Sequence, residues 1–304
     1  MLLYLLLFGS LSIHLAIDFG SQFMKSTIAH PMKNPEIAYN YDSKRLTPTY
    51  IAMRASPEFN ISSTNHLTVE EGSLLTPAFG NNAIQIMELR PYLGTAFLSS
   101  YIGLNKNESS RIAKRLFVNA SAARLTFLEL TTLFSKLYID CISQSKSVDS
   151  VSVVVPSTFT IPQRREIETA IRGAGFKFSK TIDDSEAVSI AYSLEKVNKF
   201  AQEPRTVLFI DIGATSVKAY SVYFEFKKDA SQKYGHPEFT RLTYEISTSN
   251  GGAFLTSDLV RFIISKYDLD HNLKDAEYQR LFNAAEKLKI QLTLLKSATT
   301  MVEN

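Results

Sequence analysis

The chain has 304 residues, 45% of them hydrophobic and 21% charged, an ordinary globular composition with room for roughly two lobes of about 150 residues each. Lys and Arg (33) nearly balance Asp and Glu (30), and the two signs are interspersed. No basic stripe of the kind that grips a phosphate backbone is present, which argues against nucleic acid as a main partner. A single cysteine, Cys141, excludes an internal disulfide, and five isolated histidines (His14, His30, His66, His236, His271) argue against a zinc cluster.

Residues 2–8 are almost wholly apolar and lead into Gly9-Ser10-Leu11-Ser12. The run is too short to cross a bilayer and fits the core of a signal peptide spanning residues 1–12, with Ser10 and Ser12 as the small residues before the cut. No Lys or Arg precedes it, so the competing reading is a buried N-terminal strand. Three Asn-x-Ser triplets, at Asn60, Asn107 and Asn119, agree with a secretory-pathway compartment.

Residues 13–19 read as a strand, with a partner at 24–30 across a tight Gly20-Ser21-Gln22 turn. Residues 33–50 read as a short strand, a turn and a return strand, and 54–73 as a polar surface excursion. Residues 126–143 carry helical periodicity, with Phe127, Leu130, Phe134, Leu137 and Tyr138 on one side. Cys141 sits in that run and reads as a small core residue rather than a nucleophile.

The β-branched run 150–155, closed by Pro156, predicts a buried strand. Residues 162–173 predict a helix with Pro near its start and Gly at its end. A second helix follows at 185–197, then a polar crossover at 202–205. Strands are expected at 206–212, 217–226 and 239–247. Gly251-Gly252 opens a helix toward Lys266, and 275–295 is a long amphipathic helix.

One unit occurs twice. Ala16-Ile17-Asp18-Phe19-Gly20-Ser21 and Phe209-Ile210-Asp211-Ile212-Gly213-Ala214 each place Asp-x-Gly after an apolar strand and before another strand. Glycine at such a turn lets backbone N–H groups approach phosphate oxygens. Ser21 and Ser216 add hydroxyl donors. The aspartates could hold Mg²⁺ through its waters or orient an attacking water. Two matched loops suggest two lobes clamping a polyphosphate; a lone Asp-x-Gly would mean little.

From residue 13 onward the chain resembles the nucleotide-binding domain of the heat shock protein 70 family. The resemblance rests on the loop at Asp18, on Val153-Val154-Val155-Pro156 with Gln163-Arg164-Arg165 and Ala174-Gly175, and on Ile190-Ala191-Tyr192. It extends to the loop at 207–216, to Asn250-Gly251-Gly252, and to Ala284-Ala285-Glu286-Lys287-Leu288-Lys289. It implies an α/β, actin-like ATPase (ribonuclease H-like) fold, with lobe I at 13–203 and a partial lobe II at 204–304. The family continues with more of lobe II, a β-rich peptide-binding domain and a helical lid.

The resemblance implies ATP or ADP with Mg²⁺ on Asp18 and Asp211. Nucleotide contacts would come from Gly20, Ser21, Gln22, Gly213, Ala214, Thr215, Ser216, Gly251 and Gly252, and on the adenosine side from Glu286, Lys289 and Thr293. Catalytic positions would be Asp18, Arg90, Asp184 and Asp211. Arg90 stands where the family has a lysine and Asp184 where it has a glutamate one methylene longer. Ala214 and Thr215 replace glycines, and Ile290 replaces an arginine.

These departures, with Arg90-Pro91-Tyr92-Leu93-Gly94, are similar to the large endoplasmic-reticulum lumenal class of the family. That class implies nucleotide exchange on the principal lumenal heat shock protein 70 chaperone and help with translocating or unfolded polypeptides, with no stable membrane span. Two other readings are a true ATPase driven by Asp18, Arg90, Asp184 and Asp211, and an inactive fragment. A sugar kinase of the same fold is weaker, since no sugar-site constellation stands out.

Overall fold

A computed structural model describes residues 13–55, 75–79, 92–95, 117–118, 127–144, 147–228, 235–269, 273 and 275–302. The expected signal segment, the three Asn-x-Ser triplets and Arg90 lie outside the described residues.

The first sheet is built on the hairpin β1 (His14–Phe19) and β2 (Phe23–Ala29), which pair antiparallel from His14↔Ala29 to Phe19↔Met24. Leu15, Ile17 and Phe19 alternate into the core, which leaves His14, Ala16 and Asp18 on the opposite face, as a period of two requires. The short strands β3 (Glu36–Ile37) and β4 (Thr47–Pro48) both lie on β2, toward its two ends, rather than on each other. On the other side of β1 runs β9 (Ser150–Val155), parallel to it, and then β10 (Phe178–Asp183), parallel to β9.

A smaller sheet joins β5 (Ile51–Ala55), β6 (Leu75–Phe79), β7 (Tyr92–Thr95) and β8 (Phe117–Val118), in the order β6-β5-β7-β8.

Parallel strands need crossovers, and β9 reaches β10 through α2 (Ile161–Gly173). The Gln163 carboxamide oxygen accepts the Thr160 N–H at 2.8 Å, and Pro162 occupies the first turn, where a missing N–H costs nothing. Helix α1 (Phe127–Ser143) packs on α2, and both cover the sheet. Phe134, Tyr138, Ile139 and Ile142 from α1 meet Ile167 and Ile171 from α2 and Leu15, Ile17, Val151 and Val153 from the strands in one core. Cys141 of α1 is buried too, which pushes its thiol up from the usual range and suits a packing role.

Helix α3 (Asp184–Glu195) starts at the residue after β10 and, with the short α4 (Val197–Phe200), carries the chain to a second sheet. This is the meander β11 (Arg205–Ile212), β12 (Val217–Lys227), β13 (His236–Ser247). Its inner face is aromatic. Phe224 stacks on Phe200 at 4.8 Å, and Tyr192 of α3 meets Phe209 edge-on at 5.3 Å. Leu208, Ile210 and Ile212 point to the opposite face of β11 and are exposed. A third core joins α5 (Gly252–Lys266) to α6 (Asp275–Leu292) through Val260, Ile264, Leu281, Phe282 and Ala285, and it includes Tyr50 from the first half of the chain.

The mixed sheets and covering helices fit the expected fold class. The strand at 150–155 matches its expected bounds, and the two Asp-x-Gly hairpins form as read.

Candidate functional site

The two Asp-x-Gly turns face a shared cleft of about 730 Å³, within the range of small-molecule sites. Its walls include Asp18, Gly20, Ser21, Gln22, Lys25, Asp184, Asp211, Gly213, Ala214, Ser216, Lys218 and Gly252, with Val154, Val155 and Pro156 from the carboxyl end of β9. Ligands in open parallel α/β sheets sit beyond those carboxyl ends. Chain segments nearly 200 positions apart thus converge. Ser21 Oγ and Thr215 Oγ1 lie 2.6 Å apart and tie the two loops together directly.

Both loops are braced from outside. Buried Thr49 donates its hydroxyl to the Gly20 carbonyl at 2.9 Å and its N–H to the Gln22 carbonyl at 2.9 Å. In the second loop, the Gly213 N–H bonds the Ser216 carbonyl at 2.9 Å, closing the turn. The start of α5 then docks on it: the Gly252 N–H donates to the Gly213 carbonyl at 2.9 Å and the Ala253 N–H to the Ala214 carbonyl at 2.8 Å. Gly251 allows this approach. Its φ is +151°, and a Cβ there would stand 2.5 Å from the Ala214 carbonyl oxygen.

Three carboxylates mark the floor. Asp18 is the penultimate residue of β1, Asp211 holds the same place in β11, and Asp184 opens α3, where the helix dipole favours a negative charge. Burial lifts the Asp18 carboxyl above its usual range; Lys25 opposes that rise, and the charges of Asp184 and Asp211 add to it. Beneath them, the Tyr220 phenol is pushed up to about 12, first by burial and then by Asp184 and Asp211.

Asp184 is the most heavily bonded of the three. Its Oδ1 accepts from the Ser157 N–H at 3.2 Å, the Ser157 hydroxyl at 2.5 Å and the Ser185 N–H at 2.7 Å. Its Oδ2 takes the ammonium of Lys218, which also bonds Asp211 at 3.0 Å. Lys218 is only 6% exposed. Burial acts to lower its pKa, but the bonds and charges of the two carboxylates prevail and raise it, so the ammonium persists. Asp18 has a longer pairing of its own, 3.5 Å to Lys25. On Asp18 and Asp211 one carboxylate oxygen each faces an ammonium, so a divalent ion held through its waters would share these carboxylates with Lys25 and Lys218. Among the described residues, no group of three or more His, Cys, Asp or Glu is arranged to hold a metal.

The adenosine-side candidates form a separate knot. Lys289 Nζ donates to the Gly252 carbonyl at 2.9 Å, to Thr256 Oγ1 at 2.9 Å and to Glu286 at 2.7 Å, and Thr256 also bonds Glu286. Glu286 and Lys289 therefore brace the start of α5 and reach the cleft through Gly252. Thr293 is exposed and donates to the Ile290 carbonyl at 2.6 Å.

Lys25, Lys218, Ser157 and Thr256 were not among the candidates read from sequence. The signal was present: both loops read Asp-x-Gly-x-x-x-x-Lys, and the hairpin register sets Asp18 opposite Lys25 and Asp211 opposite Lys218.

Residues 130–303, more than half of the chain, match the family model described as Hsp70 protein. The chain is 28% identical to heat shock protein 110 of Caenorhabditis elegans over 54% of its length and 21% of that protein. It is 22% identical to hypoxia up-regulated protein 1 of Danio rerio over 95% of its length and 30% of that protein. It is also 22% identical to heat shock protein 70 homolog lhs1 of Schizosaccharomyces pombe, over 94% of its length and 34% of that protein. The chain thus spans about a fifth to a third of these curated relatives.

Proposed function

Because this chain belongs to the heat shock protein 70 family, we propose that it is a nucleotide-binding, non-hydrolysing module of a chaperone that works in the endoplasmic-reticulum lumen. Its ligands are ATP and ADP, held between the loops at Asp18 and Asp211. Its role is that of a co-chaperone that speeds nucleotide exchange on the principal lumenal heat shock protein 70 chaperone. In this way it assists the folding and translocation of other polypeptides.

The engagement of both Asp184 oxygens, Oδ1 by three donors and Oδ2 by the buried Lys218 ammonium, carries the non-hydrolysing part of this reading. A carboxylate that orients an attacking water works best with its charge directed at that water and not already committed to a cation. Asp184 instead accepts three hydrogen bonds on one oxygen and an ammonium on the other. The apolar start of the chain and its three Asn-x-Ser triplets support the lumenal setting. So does the near-complete alignment of the chain with hypoxia up-regulated protein 1 and lhs1.

Two assays test the role. Labelled ADP should leave a lumenal heat shock protein 70 chaperone faster when the chain is added; unchanged release at saturating concentration rejects the exchange activity. In single turnover with bound ATP, no phosphate should appear above the uncatalysed background. Stoichiometric phosphate release would establish an ATPase instead.

A further inference from the structure

The two loops repeat more than Asp-x-Gly. Each hairpin sets a lysine seven positions on, directly across from its aspartate: Asp18↔Lys25 in β1–β2 and Asp211↔Lys218 in β11–β12. All four side chains line the cleft, together with Asp184. The two lysines differ in state. Lys218 is buried and grips both Asp184 and Asp211, whereas the Lys25 side chain is 58% exposed and, among the described residues, makes one long contact of 3.5 Å.

A divalent ion that serves a polyphosphate takes one or two carboxylates and keeps most of its waters. Here, the position between Asp184 and Asp211 is filled by an ammonium delivered from the neighbouring strand. Lys218 is itself buried, so taking its carboxylates away would leave an uncompensated buried charge, and the ammonium is not readily given up. The pairing of Lys25 is exposed and weak, which leaves that cation free to turn toward an incoming phosphate.

The geometry points to a nucleotide site that carries its own cations: Lys218 stands fixed where a divalent ion would otherwise bridge carboxylates, Lys25 meets the phosphates, and ATP and ADP bind without a divalent metal. This rests on the nucleotide-binding reading above and adds the metal independence and two positioning residues. Ser21 and Ser216, already in the cleft walls, are the neutral donors that complete such a phosphate cradle.

The test is titration of the whole chain with ATP and with ADP, once in excess EDTA and once in Mg²⁺. The expected dissociation constants agree within about threefold, well under the tenfold that 1.4 kcal/mol represents. Binding in Mg²⁺ that vanishes in EDTA overturns the metal independence and leaves the nucleotide-binding reading standing. Binding in neither condition overturns both. Two variants sharpen the result. Lys25→Ala should weaken binding about tenfold equally in EDTA and in Mg²⁺. Lys218→Asp, checked for folding by circular dichroism, should bind in Mg²⁺ and lose affinity in EDTA. A folded Lys218→Asp that stays indifferent to Mg²⁺ refutes the role given to Lys218. Should that variant not fold, the wild-type comparison decides by itself.

Discussion

Replacing Gly251 by alanine probes how the second loop is held. The new Cβ would stand 2.5 Å from the Ala214 carbonyl oxygen and 2.9 Å from that of Gly213, both of them backbone atoms that cannot rotate away. The φ of +151° adds strain of about 1–3 kcal/mol for a residue with a side chain. Relieving the clash means moving the start of α5 off the loop. That stretches the bonds from Gly252 and Ala253, each with a net value of about 0.5–1.5 kcal/mol. A total near 3 kcal/mol corresponds to a melting temperature lower by roughly 6–12 °C for a unit of this size.

The control is Gly175→Ala, also at positive φ (+91°) but with no atom of the described residues within 4 Å of its Cβ, so only backbone strain of about 1 kcal/mol is expected. Urea or thermal denaturation of both variants, with ATP titration alongside, reads the difference. Gly251→Ala should be the less stable by about 2 kcal/mol and should bind nucleotide more weakly. Equal destabilisation of the two variants would refute the account of α5 docked on the loop.

Phe224→Ala should cost about 3–5 kcal/mol in denaturant titrations, because the ring is fully buried against Phe200, Tyr192 and Phe239. A double-mutant cycle on Ser21→Ala and Thr215→Ala should give a coupling of about 0.5–1.5 kcal/mol, and no coupling would mean that the loops do not touch in solution. Asp18→Asn should melt at a higher temperature than the parent at pH 7. The raised pKa of Asp18 means that the folded chain favours its protonated form, so that contribution is present below the ordinary value of 3.8 and lost as pH rises through the higher folded value. The advantage of the variant should therefore shrink as pH falls toward 3.8, and a variant that melts lower at pH 7 would contradict the burial argument.

Long, strongly patterned elements were legible in the sequence. The β-branched run ending at Pro156 gave β9, and Pro and Gly bracketed α2 within a residue. Pairing was harder to see. Two-residue strands such as β3 and β4 carry no period, and both lie on β2 because that strand already offers an edge to them. The fate of Glu286 and Lys289 was hidden for a different reason. They face Thr256 and the Gly252 carbonyl, partners set by the packing of α5 on α6 and not by local spacing. Lys218 could have been found. Seven positions on from Asp211 across a tight hairpin, the register sets Lys218 opposite it, so the cross-strand pair is implicit in the spacing.

The proposed function depends on the cleft between the loops at Asp18 and Asp211 accepting a nucleotide. Isothermal titration of the whole chain with ATP, and separately with ADP, measures that directly. A saturable heat at one nucleotide per chain, abolished by Gly251→Ala or strongly weakened by it, is the predicted result. The absence of binding by either nucleotide to a chain shown to be folded would contradict it.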